Sequence, residues 1–213
     1  MTHIRFARIA AALVIASTAL VSACSESPGR MVSPTSAAAA LGAQGDSDFN
    51  QSLAAVRRAT AAFHDFAVAQ QAGYQSVAAE PCVSSPAGTM GKHSINPALI
   101  QNPALDITRP EILVYLPTDD GLKLVAVEYM RVALVRRPDG TIAPWFPPTP
   151  WPANHVLVTP TPVLFGQSFQ GPMAGHGPPG VAPWHYDLHA WVWAPNPAGD
   201  FAQFNPRLSC PGA

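Results

Sequence analysis

Charge is scarce in this chain. Only 12% of its 213 residues are Asp, Glu, Lys or Arg, about half the usual share, and lysine occurs only as Lys92 and Lys123. With a formal net charge of −1, the chain has no basic field to hold nucleic acid or anionic headgroups as its main partner. No Cys-x-x-Cys pair and no phosphate-cradling glycine loop occurs, which removes two common redox and nucleotide chemistries. Gly166-Gln167-Ser168-Phe169-Gln170 lacks the second glycine of a nucleophile elbow. Cysteine is rare too, and its count of three is odd, so one cysteine has a role outside an internal pairing. What is plentiful is apolar and rigid, with 48% hydrophobic residues and 24 prolines. That is too apolar for wholesale disorder and the right length for one domain.

The N-terminus accounts for the odd cysteine. His3, Arg5 and Arg8 precede an uncharged run from Ile9 to Ala23. The run is shorter than the roughly 20 residues of a membrane-spanning helix, and it has the length and flanks of a secretory signal. Leu20-Val21-Ser22-Ala23-Cys24 resembles a bacterial lipobox. The resemblance implies removal of residues 1–23, diacylation of Cys24 and a lipid-anchored chain. The other reading is an ordinary signal cut near Ala23, with Cys24 incidental. Ser25 after the cysteine, rather than Asp, implies the outer membrane in a host that has one. Cys82 and Cys210 then remain, and an exported protein meets an oxidising compartment that favours a disulfide between them. Two free thiols are the alternative, although Cys82, between Pro81 and Val83, has no activating neighbour in sequence.

Residues 24–47 are rich in Ser, Ala, Gly and Pro and read as a flexible tether, which leaves 48–213 as the globular domain. It opens with a helix. Asp46, Ser47 or Asp48 can cap it, and Leu53, Val56, Ala59, Thr60, Phe63, Ala67 and Gln70 recur at steps of three and four before Gly73. His64 falls beside that stripe and reads as a plain surface or boundary residue. Nearly all the prolines and all five tryptophans lie beyond residue 80, which forbids long helices and favours short strands. Strands are expected at Ile112–Leu116, Leu122–Val135, Val156–Thr159, Val163–Phe169 and Tyr186–Trp193, the first two joined by a Thr118-Asp119-Asp120-Gly121 turn. The expected fold class is α+β: one N-terminal helix packed on a mostly antiparallel sheet with Pro-rich loops, barrel-like if the sheet closes.

With Asp119 and Asp120 at the hairpin tip, Tyr115 pairs with Leu124, Leu113 with Ala126 and Glu111 with Glu128. Glu128 then shares its face with Leu124, Ala126, Met130 and Val132, so its carboxylate needs a cation, a donor or a proton. Arg109 bridging both glutamates is one answer and a metal or catalytic role another; a one-residue register slip would separate the pair. His185, Asp187, His189, Trp191 and Trp193 alternate on one strand face. His185 and His189 would stand about 13 Å apart, too far to grip one ion together. Either can act with Asp187 as a metal pair or an oriented imidazole. Met90-Gly91-Lys92-His93 and Met173-Ala174-Gly175-His176 each set a thioether three residues before an imidazole in a loop, a donor pair suited to Cu(I). Trp145, Trp151 and Trp184 sit among prolines and can build a rigid surface for a partner.

Several of these segments belong to a wider pattern. It begins with Met90-Gly-x-His93 and Asn96-Pro97, then Pro110-Glu111-x-Leu113-x-Tyr115 and Val127-Glu128-Tyr129. Phe165-Gly166-Gln167, His185-Tyr-x-Leu-His189-x-Trp191-x-Trp193, Asn196-Pro-x-Gly-x-Phe201, Asn205-Pro and Cys210 continue it. From about residue 50 to the C-terminus the chain resembles a family of bacterial exported proteins with no assigned activity. Ser94 and Leu116 depart from the aromatic and acidic residues that the family often carries there. The resemblance implies no reaction, but it marks His93, Glu111, Glu128, His185 and His189.

The expected protein is a lipid-anchored component of the cell envelope whose β-rich domain binds a small ligand or a metal, copper or zinc. His93, Glu128, His185 and His189 are the expected ligands, with Glu111, Asp187, Met90, Met173 and His176 behind them or as alternatives. A metal-dependent hydrolase using Glu128 or Glu111 as general base is the second reading. An adaptor presenting its Trp/Pro surface to an envelope protein is the third. Replacing Cys24 by Ser is expected to move the protein from the membrane to the soluble fraction on cell fractionation. A variant that stays membrane-bound refutes the anchor.

Overall fold

The computed structural model describes residues 34–76, 81–146, 154–175 and 182–211, with side chains from residue 45 onward. The signal run, Cys24, Trp151 and His176 lie outside the described residues. The chain divides into two units, Met1–Leu41 and Gly42–Ala213, and the sheet and the candidate site belong to the second. Among the described residues no helix is long and apolar enough to cross a membrane.

Helix α1 spans Pro34–Thr60, so it starts well before Asp48 and the later part of the expected tether is helical. Alanine is the strongest helix former, and Ala37 to Ala40 form an unbroken run. Pro34 sits in the first turn, where a missing N–H costs nothing. The helix also stops before its apolar stripe does. Ala61–His64 tighten into a 3-10 turn, and Asp65 becomes extended at φ −85° and ψ 109°. Its carboxylate accepts from the Ala67 N–H at 2.9 Å, capping a separate helix α2, Phe66–Gln71. Gly73 ends α2 at φ 96°. Its N–H donates to Gln70 O and that of Tyr74 to Ala69 O, which helps satisfy the carbonyls of the last helical turn.

Strands β1 (Gln75–Ser76), β2 (Val83–Ser85) and β3 (Gly88–Ile95) precede a one-turn helix α3 (Pro97–Ile100). The expected hairpin is β4 (Ile112–Thr118) and β5 (Gly121–Val132). Short strands β6 (Leu134–Arg136), β7 (Ile142–Pro144), β8 (Val156–Leu157), β9 (Val163–Leu164) and β10 (Gln167–Ser168) follow. Then come β11 (Gln170–Met173) and β12 (His185–Ala190). The main sheet is antiparallel in the order β1-β3-β4-β5-β12-β11, with β2 also paired to β3. Among the described residues this path is open, and the fold is α+β with antiparallel sheets.

Several boundaries differ from the sequence pattern for local reasons. The Met90–His93 stretch, expected as loop, is strand β3. The long second hairpin strand breaks at Ala133, whose N–H turns to Trp184 O at 2.8 Å. Val163–Phe169 folds into the β9–β10 hairpin, because Phe165 and Gly166 adopt φ 54° and 72°. Strand β12 ends at Ala190, where Val192 N–H bonds back to Ala190 O at 2.9 Å and turns the chain.

One correction decides the site. Tyr115 pairs with Leu124 as expected, but a bulge follows, and Leu113 pairs with Val127 and Ile112 with Glu128. Val125 is the extra residue. Its carbonyl accepts from Trp193 N–H at 3.3 Å and Ala194 N–H at 3.0 Å, so the bulge is held by the segment leaving β12. Leu124 faces the helices, whereas both Val125 and Ala126 face away. Glu111 therefore does not oppose Glu128, and Arg109 is exposed with no ion pair to either glutamate among the described residues.

The helix-side core joins Leu53 and Val56 of α1 and Ala69 of α2 to Leu113, Tyr115, Val127, Tyr129, Tyr186 and Leu188. The buried tyrosines there donate to backbone carbonyls: Tyr74 to Pro110 O, Tyr115 to Phe63 O and Tyr129 to Ile107 O. Ile112, Val114, Val125, Ala126, Met130 and Trp191 make a second apolar cluster on the opposite face. Cys82 and Cys210 form a disulfide across a sequence separation of 128 residues. A bridge between Thr89 and Asn205 ties down the same C-terminal stretch. A cross-link of that span is worth about 4–5 kcal/mol in the chain-entropy treatment. Urea unfolding of Cys82→Ser is expected to show a loss of about 4 kcal/mol. Reductant should reproduce that loss in the parent and leave the variant unchanged.

Candidate metal site

Three strands bring the site together on the sheet face away from the helices. His93 of β3 pairs with Val114, Glu128 of β5 lies between Ile112 on one side and His189 on the other, and Asp187 and His185 oppose Met130 and Val132. Paired positions in a sheet share a face, so His93, Glu128, His185, Asp187 and His189 all project to the same side. All five are buried, none more than 3% exposed. Gly91, two residues before His93, has φ 124°, and a Cβ there would meet Tyr115 O at 2.7 Å. Glycine at this position lets β3 press against β4. Gly171 is as constrained on β11, where a Cβ would lie 2.7 Å from His185 O.

Glu128 is the centre. Its Oε2 lies 3.2 Å from His93 Nε2 and 3.6 Å from His189 Nε2. One ligand atom from each of these three residues lies within 4.8 Å of the other two, and the same holds for Glu128, His185 and Asp187. Trp191 stacks on the His189 ring at 6.3 Å and 17°. His185 Nδ1 donates to Pro183 O at 3.0 Å, which in a neutral ring leaves the lone pair on Nε2.

Electrostatics divides the two carboxyls. Burial pushes the Glu128 carboxyl up, but His189, His93 and His185 outweigh it and hold the group below the usual carboxylate range. Asp187 moves the other way, to about 8, through burial first and the Glu128 charge second. Its two oxygens are buried without a hydrogen-bond partner among the described residues. Burial and mutual repulsion thus drive the proton affinities of the two carboxyls apart.

The remaining expected residues fall elsewhere. Glu111, just before β4, accepts from the Met130 N–H at 3.1 Å. Met90 is fully buried at a bulge of β3, unpaired between Thr89 and Gly91 in the β2 register. Met173 Sδ accepts from Gln203 Nε2 at 3.7 Å. Met90 and His93 are thus strand residues rather than a loop motif, and His176 lies outside the described residues. Trp193 leaves the histidine face and donates to Thr60 Oγ1 at 3.1 Å on the helix side, where exposed His64 packs edge-on against it. Trp145 and Trp184 are half-buried and Trp191 is buried, so these rings are largely taken up by packing. Comparison with known protein families, characterised proteins and solved structures finds no match.

Glu111 yields a test separate from the metal. Burial raises its carboxyl to about 7 despite the Met130 hydrogen bond, above the 4.5 of an unburied glutamate. The folded state therefore holds a proton that the unfolded state releases, and stability falls as pH rises from about 4.5 to about 7. The loss is on the order of 3 kcal/mol across that interval. Glu111→Gln is expected to remove this fall, so its stability relative to the parent should rise between pH 5 and pH 8 in urea titrations of metal-free protein. An unchanged difference would refute a neutral buried Glu111.

Proposed function

We propose that this chain is an envelope lipoprotein whose domain binds a divalent transition metal, zinc foremost, through His93, Glu128 and His189. The observation that carries the reading is the convergence of two imidazole nitrogens on one buried carboxylate oxygen, at 3.2 and 3.6 Å. Those separations bracket the edge of about 3.3 Å for a tetrahedron with bonds of about 2.0–2.1 Å. Imidazole and carboxylate donors suit Zn(II) better than Cu(I), which favours sulfur. Export and the lipid anchor rest on residues 1–24, and the disulfide accords with an oxidising compartment.

A metal-dependent hydrolase is the second reading, favoured by the opposite directions in which the Glu128 and Asp187 carboxyls are shifted. Neighbouring carboxyls driven apart in this way are what acid–base chemistry needs. The metal reading is tested by elemental analysis of full chain purified from the envelope fraction. Zinc is expected to survive dialysis, and Glu128→Gln and His189→Ala should lose at least about tenfold in affinity. Metal far below stoichiometry after reconstitution with zinc and with copper would sink the proposal.

A further inference from the structure

Two ligand groups, not one, meet at Glu128. The first is His93, Glu128 and His189; the second is Glu128, His185 and Asp187, and Glu128 is the residue they share. His185 and His189 sit four residues apart on β12, about 13 Å along an extended strand; His189 stands across from Glu128 and His185 across from Val132. The second group contains a carboxyl that the protein atoms do not compensate. Asp187 is 1% exposed, and both its oxygens are buried without a hydrogen-bond partner among the described residues. Native proteins rarely leave a buried carboxyl so placed, because the lost hydration goes uncompensated. A cation held by Asp187 and His185 supplies what the protein atoms do not. The Pro183 carbonyl, by taking the His185 Nδ1 proton, prepares that ring as a ligand.

We propose that Glu128 bridges two divalent transition-metal ions, the second held by His185 and Asp187. The proposal rests on the single-ion reading above and extends it. A carboxylate has two oxygens and can give one to each ion, and ions shared in this way typically stand about 3.5–4 Å apart. Each ion would have three protein ligands, the number that leaves a coordination position for water or a bound ligand.

The test strips the full chain with chelator, reloads it with zinc or with Co(II), and counts metal per chain. Two zinc ions are expected in the parent and one in Asp187→Asn, a near-isosteric change. His185→Gln should give the same count as Asp187→Asn and stands in for it if that variant does not fold. The Co(II) form of the parent should show magnetic coupling between the ions by electron paramagnetic resonance, and Asp187→Asn should lose it. One zinc in the parent, unchanged in Asp187→Asn, overturns the second ion and leaves the single-ion site standing. Two ions without coupling overturn the bridge. No bound zinc in the parent overturns both readings.

Discussion

A carboxylate that is 2% exposed on an apolar sheet face needs compensation, and Glu128 draws it from strands on both sides. The desolvation of an ionised group in such a place costs several kcal/mol unless cations or donors surround it. His189 supplies contact from the neighbouring strand. His93 supplies it from two strands away, reaching over β4, which at that level carries Ile112 and Val114 and no competing polar group. The central sheet order is thus tied to one electrostatic requirement. β3, β4, β5 and β12 must lie side by side in that order for the imidazoles and the carboxylate to meet.

The two faces of the sheet divide the polar work. On the helix side the tyrosine hydroxyls are satisfied by main-chain carbonyls, and Glu111 meets a backbone N–H. Those groups are complete within the protein. On the other face the donors and acceptors are side chains of metal-ligating type, and Asp187 is left without a hydrogen bond among the described residues. A core that satisfies its buried polar groups on one side and leaves a carboxyl unmet on the other has the asymmetry of a structural face backed onto a binding face.

Much of this was legible in sequence, and the exceptions have physical causes. The β4–β5 hairpin followed from its Asp-Gly turn, and the alternation of His185, Asp187 and His189 placed them on one face. Strand β3 was hidden because Gly88 and Gly91 resemble loop punctuation, whereas here Gly91 serves a close backbone approach. The Ala37–Ala40 run was read by its small residues as tether, although alanine favours helix more than any other residue. Asp65 interrupted a helix whose apolar period runs on without pause, because a cap is a local hydrogen bond and periodicity is blind to it. Trp193 kept the strand period but not the strand, since the turn at Val192 depends on hydrogen bonds made after the chain has folded back.

The bulge at Val125 changes the parity of β5. Before it, an even-numbered residue such as Leu124 faces the helices; after it, even-numbered Ala126 and Glu128 face away. Counted from the hairpin tip, Glu128 would otherwise stand among the tyrosines, with the histidines on the far side of the sheet. One inserted residue thus decides whether the imidazoles meet a glutamate at all, without any change in the chemistry of either. Sequence drift in this stretch is consequently constrained in length more than in composition: a side chain at 125 can be exchanged for another apolar one, but its peptide unit cannot be dropped.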